Sequence, residues 1–386
     1  MNEPATPEVT VIVPARNEEA CLAECLQSLI HQDGLPPTLS PREGDRDGAP
    51  GSGAPCFEII VVDDHSTDGT REIAESFISA SSPTLSSKEG DTGGAPNIQV
   101  ITADPLPPGW SGKCNAAWSG ARIARGKWLL FTDADTKHAP DSVAAGLREA
   151  EQHGAGLLSY SPKQEVHSLP ERMLMPVIFA ELAAAYPPKE VSDPASPVAA
   201  ANGQYLLVRR DVYREVGGHA AVAGDILEDV ELARLVKHAG HRLRFRMSDA
   251  VSTRMYRSWP EMLEGWTKNL ALLFPHAPSL ALLRTVEFLL IAGGSFVALA
   301  SWLEGKTFAA AVAGALALYT AFFFFRRILR AHFDWRSDLL SVLGLPVFAV
   351  LLVNSDISHK KGSVRWKGRE YGAKNSPQPL RMRSGL

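Results

Sequence analysis

The first regular pattern in the chain is Val9-Thr-Val-Ile-Val-Pro-Ala-Arg-Asn-Glu-Glu19, in which an apolar run passes directly into polar residues. Similar apolar runs, rich in β-branched residues, recur at 57–62, 97–101 and 128–132. Each run is typical of a strand that is buried on both faces of a sheet. A helical pattern follows the first run, with one apolar face formed by Leu22, Cys25, Leu26 and Leu29. This alternation of strands and helices predicts a doubly wound, mostly parallel α/β sheet.

Polar clusters follow three of the predicted strands, at the carboxyl ends where parallel sheets bind their ligands. In chain order they are Pro14-Ala-Arg-Asn-Glu-Glu19, Asp63-Asp-His-Ser-Thr-Asp-Gly69 and Asp133-Ala-Asp135. The spacing of Asp133 and Asp135 lets both carboxylates reach one hard cation, whose other positions then bind phosphate oxygens and water. Taken alone, the same pair is also typical of solvated turn residues before a helix. Likewise, one residue of the Asp63-Asp64 pair caps the next helix, or the pair binds a base or ribose.

Two further motifs carry charged groups. Gly112-Lys113 opens a predicted helix, and a lysine beside a helix N-terminus suits a diphosphate, although it is also typical of an ordinary exposed lysine. No GxxxxGK[ST] motif occurs, nor a GxGxxG after the first strand, which disfavours P-loop and nicotinamide-binding proteins. Farther on, Glu228 forms a capping-box-like pair with Asp225. The adjacent Asp229 is a candidate general base toward an incoming hydroxyl.

Three apolar segments, 282–303, 307–325 and 339–355, predict a C-terminal membrane region over 266–386. The first is long enough to span if Arg284 and Glu287 pair on one helical face or snorkel. Basic residues follow the second and third segments, including the tail 356–386, and both stretches favour the cytoplasmic side. We therefore expect a spanning hairpin and a third segment that dips in and returns. A buried all-α core domain is the alternative.

The charge is unevenly distributed along the chain. The formal net charge is -4, yet residues 326–386 hold twelve Lys or Arg and four Asp or Glu, a net of +8. We expect this basic end to lie against anionic lipid, and nucleic acid is not an expected partner. The four cysteines show neither zinc nor disulfide spacing, which favours a reducing compartment. The acidic, Pro-rich start predicts no cleavable secretion signal.

Two long loops share an internal repeat, since residues 37–50 and 83–96 are identical at ten of fourteen positions. Their Gly, Pro, Ser and charged content buries too little apolar surface to offset chain entropy. We expect disordered-type insertions at 33–55 and 80–96, within a catalytic domain over 1–265, and no catalytic role for them.

Together these motifs resemble the family 2 glycosyltransferases, which have a GT-A fold. The matching landmarks are Val11 to Glu19, Val61 to Thr70, Gly112 to Asn115, Thr132 to Asp135, Asn202-Gly203 and Glu228-Asp229. More narrowly, Leu106-Pro-Pro-Gly-Trp-Ser-Gly-Lys113 and Arg254-Met-Tyr-Arg257 look like the bacterial hopanoid-associated or carotenoid (diaponeurosporenoate-type) glycosyltransferases.

The resemblance implies a donor site, a metal site and a base. To the nucleotide-sugar donor, a UDP-sugar, it assigns Pro14, Ala15, Arg16, Glu18, Asp63, Asp64, Lys113, Asp133, Asn202 and Gly203, with Arg254 and Arg257 contacting phosphate or lipid headgroups. Asp133 and Asp135 hold Mg²⁺ or Mn²⁺ in this reading, and Asp229, with Glu228 beside it, is the catalytic base of an inverting displacement. If the acceptor is a carboxylate, Asp229 only positions it.

The departures from the family pattern shape the expected activity. Processive members carry a QxxRW motif, and the nearest stretch here, Arg254 to Trp259, lacks the Gln and has an extra residue before Trp. We expect transfer of a single sugar to a lipid acceptor of hopanoid, carotenoid or polyprenyl type. The enzyme is expected to be a multi-pass protein of the cytoplasmic (inner) membrane with its catalytic domain in the cytoplasm. The alternatives are a processive polysaccharide synthase subunit and a non-catalytic nucleotide-sugar-binding scaffold.

Overall fold

The computed structural model describes residues 6–33, 57–80, 96–366 and 369–371. It divides into two compact units, and the chain passes between them three times. Unit 1 comprises Met1–Lys163 and Pro188–Arg254, and unit 2 comprises Gln164–Pro187 and Met255–Leu386. The predicted insertions at 33–55 and 80–96 lie almost entirely outside the described residues.

Unit 1 is built on one eight-stranded sheet. Its strands are β1 (Val9–Ala15), β2 (Phe57–Asp63), β3 (Asn97–Thr102), β4 (Trp128–Phe131), β5 (Thr136–His138), β6 (Ala155–Gln164), β7 (Leu206–Arg209) and β8 (Arg242–Thr253). They are arranged in the order β3-β2-β1-β4-β7-β6-β8-β5. The pairs β1–β2, β2–β3 and β1–β4 are parallel, whereas β4–β7, β6–β7 and β5–β8 are antiparallel. The predicted parallel half is confirmed, and an antiparallel half extends it.

Fifteen α-helices are described, and α5 and α10–α15 belong to unit 2. They are α1 (Leu22–Ile30), α2 (Thr70–Ala80), α3 (Gly112–Ile123), α4 (Ser142–Gln152), α5 (Leu169–Ala185), α6 (Pro188–Ser192), α7 (Arg210–Glu215), α8 (Gly218–Ala221), α9 (Glu228–His238), α10 (Trp259–Leu273), α11 (Ala277–Phe288), α12 (Gly294–Leu303), α13 (Thr307–Ile328), α14 (Trp335–Leu340) and α15 (Gly344–Lys361). In the tail, β9 (Val364–Trp366) pairs with β10 (Arg369–Tyr371).

The burial of each helix and strand shows which of the predicted buried faces are correct. The predicted apolar face of α1 is buried at all four positions: Leu22, Cys25, Leu26 and Leu29. Strands β1, β2 and β4 are buried almost throughout, as predicted. The prediction for β3 is wrong, because this strand forms the edge of the sheet and only Ile98 is fully buried along it. The apolar residues of the run at 97–101 therefore did not distinguish an edge strand from a central one.

The described part of unit 2 contains three helices that are long and apolar enough to cross a membrane: Ala277–Leu303, Thr307–Ala331 and Trp335–Lys361. The first two expose large side chains, such as Phe296 (72%) and Phe308 (84%). The third is more enclosed, with 44% of its apolar window buried against 11% for each of the others. A 3₁₀ turn at Ser341–Leu343 interrupts it between α14 and α15. Apolar exposure on this scale is typical of a surface that contacts lipid.

The core of unit 2 contains a buried four-charge cluster, which consists of Glu181 of α5, Arg284 and Glu287 of α11, and Arg327 of α13. Arg284 lies 2.8 Å from Glu181 and 3.0 Å from Glu287. Arg327 lies 3.0 Å from Glu181 and 2.6 Å from Glu287. The predicted pairing of Arg284 with Glu287 is confirmed. Because each cation contacts both anions, the cluster ties three helices together with no net charge.

Candidate active site

The loops after β1 and β2 hold each other through a set of cross-loop hydrogen bonds. Asp64 N–H donates to the Ala15 carbonyl (2.8 Å), and Arg16 Nη1 donates to the Asp64 carbonyl (2.7 Å). The Arg16 guanidinium also lies 3.9 Å from the Asp64 carboxylate, which is buried. Glu18 N–H donates to Thr70 Oγ1 (2.7 Å) at the start of α2. The first two predicted clusters therefore meet at one edge of the sheet.

Asp63 and Asp64 differ in their surroundings. Asp63 Oδ1 accepts the Ser66 N–H (3.1 Å), so this carboxylate closes its own loop. Helix α2 begins later, at Thr70, and Asp68 Oδ1 accepts the Thr70 N–H (3.1 Å). Asp68 therefore bonds the first turn of α2, and Asp64 lies beside the Arg16 guanidinium.

A lysine clasp forms the centre of the site, and we use that name for Lys113 with Asp133 and Glu228. Helix α3 begins at Gly112 behind its N-cap Ser111, whose hydroxyl accepts the Cys114 N–H. This start places Lys113 in the first turn. Its Nζ lies 2.8 Å from Asp133 Oδ1 and 3.1 Å from Glu228 Oε1. Burial opposes the charge, but the carboxylates of Asp133, Glu228 and Asp229 outweigh it and hold the Lys113 pKa well above its usual value.

Asp229 lies beside the lysine clasp in the first turn of α9. Its Oδ2 accepts the Gly203 N–H (2.8 Å), and its Oδ1 accepts the N–H of Val230 (2.8 Å). Burial, followed by the negative charge of Glu228, raises the Asp229 pKa to about 6, against the opposing effect of Lys113. The carboxylate is thus held in place by backbone donors while its basicity is increased. That combination suits a general base near neutral pH.

Gly203 fits the site because it has no side chain. A Cβ at this position would lie 2.9 Å from Lys113 Nζ and 3.6 Å from Asp229 Oδ2. The preceding Asn202 shapes the turn, since its Oδ1 accepts the Gln204 N–H (2.9 Å) and its own N–H donates to Ser159 Oγ (2.8 Å). Asn202 and Gly203 therefore lie in the site as a structural turn around the two charged groups.

The capping-box hypothesis for Asp225 and Glu228 is wrong. Helix α9 begins at Glu228, its N-cap is Leu227, and no side chain caps it. Glu228 instead turns toward Lys113 and is 6% exposed. Asp225 remains outside the helix, and burial followed by the charges of Glu231 and Glu228 raises its pKa to about 6. The local spacing pointed to a cap because it contained no information about Lys113, which lies 115 residues earlier.

The carboxylates at the end of β4 are consistent with a cation bound together with a diphosphate. Asp133 has a partly exposed side chain (28%), and one oxygen of Asp135 is buried. Among the described residues, no three His, Cys, Asp or Glu side chains cluster as a complete metal site. Mg²⁺ commonly binds through one or two carboxylates plus substrate phosphates, and this donor set matches that pattern.

The two predicted arginines fall in different units. Arg254 is the last residue of unit 1, at the end of the strand β8 region, whereas Arg257 belongs to unit 2. Other groups near the site were missed by sequence reasoning: Gln204, Thr132, Thr136 and His138, all buried. A polar residue at the end of an otherwise apolar run, such as Thr132, is the signal that was available for them.

Residues 10–217, more than half of the chain, match the family described as Glycosyl transferase family 2. The chain belongs to this family of glycosyltransferases. It is 30% identical over 282 residues to the 4,4'-diaponeurosporenoate glycosyltransferase of Staphylococcus haemolyticus, covering 69% of this chain and 62% of that protein. It is 26% identical over 379 residues to the protein of the same name from Staphylococcus aureus strain USA300, covering 94% and 88%.

One solved structure is also similar over most of its length. A mannosyltransferase from Pyrobaculum calidifontis, determined in complex with GDP-Man and Mn²⁺, is 18% identical and has a TM-score of 0.49, covering 92% of this chain and 87% of that one. The family match and the sheet of unit 1 confirm the predicted GT-A fold and glycosyltransferase class. The three apolar helices confirm that a membrane-associated region follows.

Proposed function

We propose that this chain transfers a single sugar from a UDP-sugar to a lipid acceptor by an inverting displacement. The observation that carries the proposal is the lysine clasp beside Asp229. One cation lies between two carboxylates at the carboxyl edge of the sheet, and a third carboxylate with a raised pKa is held next to it by Gly203 N–H. A leaving diphosphate needs positive charge, and an attacking hydroxyl needs a base.

Each residue then has a defined task. The acceptor oxygen forms its bond to sugar C1 as the bond from C1 to the diphosphate oxygen breaks, and the electron pair leaves with the nucleoside diphosphate. Asp229 takes the hydroxyl proton, while Lys113 lies along the diphosphate and stabilises its charge. Arg16 and Asp64, with Asp63 and Glu18, hold the nucleoside. Asp133 and Asp135 would hold Mg²⁺ or Mn²⁺, which supplies further positive charge to the leaving group.

The relatives and unit 2 support the lipid acceptor in this proposal. The two curated relatives are named for a carotenoid acid, and the chain carries three helices apolar enough to cross a membrane. An apolar acceptor dissolves in the bilayer and would meet an enzyme anchored there. If the acceptor is a carboxylate, it arrives without a proton, so Asp229 would position it instead of deprotonating it.

The test is sugar incorporation into lipid. Membranes that contain the full chain are incubated with a panel of labelled nucleotide sugars and Mn²⁺, and label is counted in the organic phase. Label from a UDP-sugar is expected, together with its loss in Asp135→Asn and Asp229→Asn. The matched control is Asp249→Asn, which changes an exposed aspartate on β8 and keeps activity. Long water-soluble products would indicate a polymerising synthase, and no incorporation from any donor would favour a scaffold.

We further propose that the catalytic domain, residues 1–265, faces the cytoplasm and that the inner membrane holds residues 266–386. The basic residues after the second and third apolar segments support this topology. Single cysteines introduced at Lys306 and Lys360 in a cysteine-free background provide the test. A membrane-impermeant maleimide added to intact cells should label position 306 and not position 360. Labelling at both positions would contradict the returning third segment, and labelling at position 360 alone would contradict the orientation.

A further inference from the structure

A hydrogen-bonded row of buried polar side chains lies beside the turn that carries Asp133 and Asp135. Its members are Thr132, Thr136, His138, Ser142 and the partly buried Gln32. Thr132 Oγ1 lies 2.9 Å from Thr136 Oγ1 and 3.0 Å from His138 Nε2. His138 Nδ1 lies 3.0 Å from Ser142 Oγ, which in turn donates to Gln32 Oε1 (3.0 Å). All of these residues belong to unit 1.

The direction of these hydrogen bonds follows from the side-chain amide of Gln32, at the far end of the row. Gln32 Nε2 donates to the carbonyls of Ser28 (3.0 Å) and Ala139 (2.8 Å), so Oε1 must face Ser142. Ser142 Oγ donates its only proton to Gln32 Oε1, so it must accept the hydrogen bond from His138 Nδ1–H. Burial lowers the His138 pKa to about 3, so the ring is neutral and Nε2 is an acceptor.

The hydroxyls of Thr132 and Thr136 connect this row of side chains to the site. Thr136 Oγ1 donates to the Asp133 carbonyl (2.7 Å), and Thr132 Oγ1 donates to the Gln204 carbonyl (2.8 Å). The same two oxygens lie 3.4 Å and 3.0 Å from His138 Nε2, which can accept only a proton that a hydroxyl shares with its carbonyl. One carbonyl belongs to the turn that offers the carboxylates, and the other follows Gly203, whose N–H holds Asp229. The His138 ring therefore packs against both hydroxyls, and each hydroxyl bonds the backbone of one of the two turns, at Asp133 and at Gln204.

We propose that Thr132, Thr136 and His138 are positioning residues that hold the Asp133–Asp135 turn and the Asn202–Gln204 turn in register for binding a divalent cation together with the nucleoside diphosphate. The inference rests on the proposed function. Its physical basis is that buried side chains locked by neutral hydrogen bonds fix the groups they contact, and partners behind a metal ligand commonly change metal affinity by about 10–100-fold when removed.

The experiment measures Mn²⁺ binding directly, on the purified full chain in detergent micelles with UDP present, from the free Mn²⁺ signal in electron paramagnetic resonance. Thr136→Val removes the hydroxyl and keeps the shape, and its Kd for Mn²⁺ should rise about tenfold. Thr136→Ser keeps the hydroxyl and should restore the wild-type value. If Thr136→Val does not fold, Ser142→Ala is measured instead, and it should weaken Mn²⁺ binding to a smaller extent.

Thr10→Val is the matched control. Thr10 is also fully buried in the sheet, but its hydroxyl bonds Glu58 (2.7 Å) and Gly126 N–H (2.8 Å) near the amino end of β1. This variant should lose stability without losing Mn²⁺ affinity. An unchanged Kd in Thr136→Val, or an equal loss in Thr10→Val, overturns the inference alone. Absence of Mn²⁺ binding by the wild-type chain overturns the metal assignment and the inference with it.

Discussion

Removing one charge from the four-charge cluster of unit 2 should destabilise the protein far more than removing an exposed charge. Glu287 accepts hydrogen bonds from Arg284 Nη1 (3.0 Å), Arg327 Nη1 (3.0 Å) and Arg327 Nη2 (2.6 Å). Glu287→Gln keeps the size of the side chain and leaves the buried cluster with a net positive charge. Breaking a buried ion pair in this way costs about 3–5 kcal/mol. For a unit of this size, the midpoint of thermal unfolding should fall by roughly 10 °C.

The measurement is tryptophan fluorescence during heating in detergent micelles. A double variant, Arg284→Met with Glu287→Met, removes one charge of each sign and should recover most of the loss, because the remaining Glu181 and Arg327 still balance each other. Glu304→Gln is the matched control, since Glu304 forms an exposed pair with Lys306 (2.7 Å) and should unfold as the wild type does. A transition of Glu287→Gln within 2 °C of the wild type, or a double variant less stable than the single one, would refute the reasoning.

Three further predictions concern the active site. Burial and Glu228 raise the Asp229 pKa to about 6, and a general base acts only when it is deprotonated. For a hydroxyl acceptor, kcat/KM should therefore fall about tenfold for each pH unit below 6. A pH profile that is flat down to pH 5 would contradict the assignment of Asp229 as the base. Asp225→Asn should raise the midpoint of thermal unfolding at pH 7, because a pKa of about 6 in the folded protein means that folding disfavours the charged carboxylate. This gain in stability should vanish as the pH falls toward 4, where the wild-type carboxyl is protonated in the folded protein. Lys113→Met should raise the donor KM tenfold or more, since it removes a charge-assisted contact, and an unchanged donor KM would show that Lys113 does not face the diphosphate.

The meeting of Lys113 with Asp133 was predictable from the sequence, because each follows a recognisable strand or opens a helix, and parallel strands gather their carboxyl ends at one edge. The position of Glu228 was not predictable in this way. It lies in α9, between β7 and β8 of the antiparallel half, and no local spacing records which residue of α3 it will face. The local pattern favoured a helix cap, whereas the tertiary contact with Lys113 determined its orientation.

The same contrast holds in unit 2. The pairing of Arg284 with Glu287 is a local relation on one helix, so their spacing revealed it. Glu181 completes the cluster and lies 103 residues before Arg284 in the sequence. No charge pattern in its segment points to α11. The buried His138 was missed for a similar reason. A histidine in a short strand says nothing by itself about whether it faces solvent or supports a turn.

The assignment of 164–187 to unit 2 bears on how this enzyme can be dissected. A membrane anchor that is only a C-terminal extension can be deleted to give a soluble catalytic fragment. Here a stop codon after Arg254 would keep α5 while removing the helices that share its core, and six of its apolar residues, among them Val177, Ile178 and Phe179, would lose that cover. Attempts to express the catalytic part alone should therefore replace 164–187 with a short polar linker as well as shorten the chain.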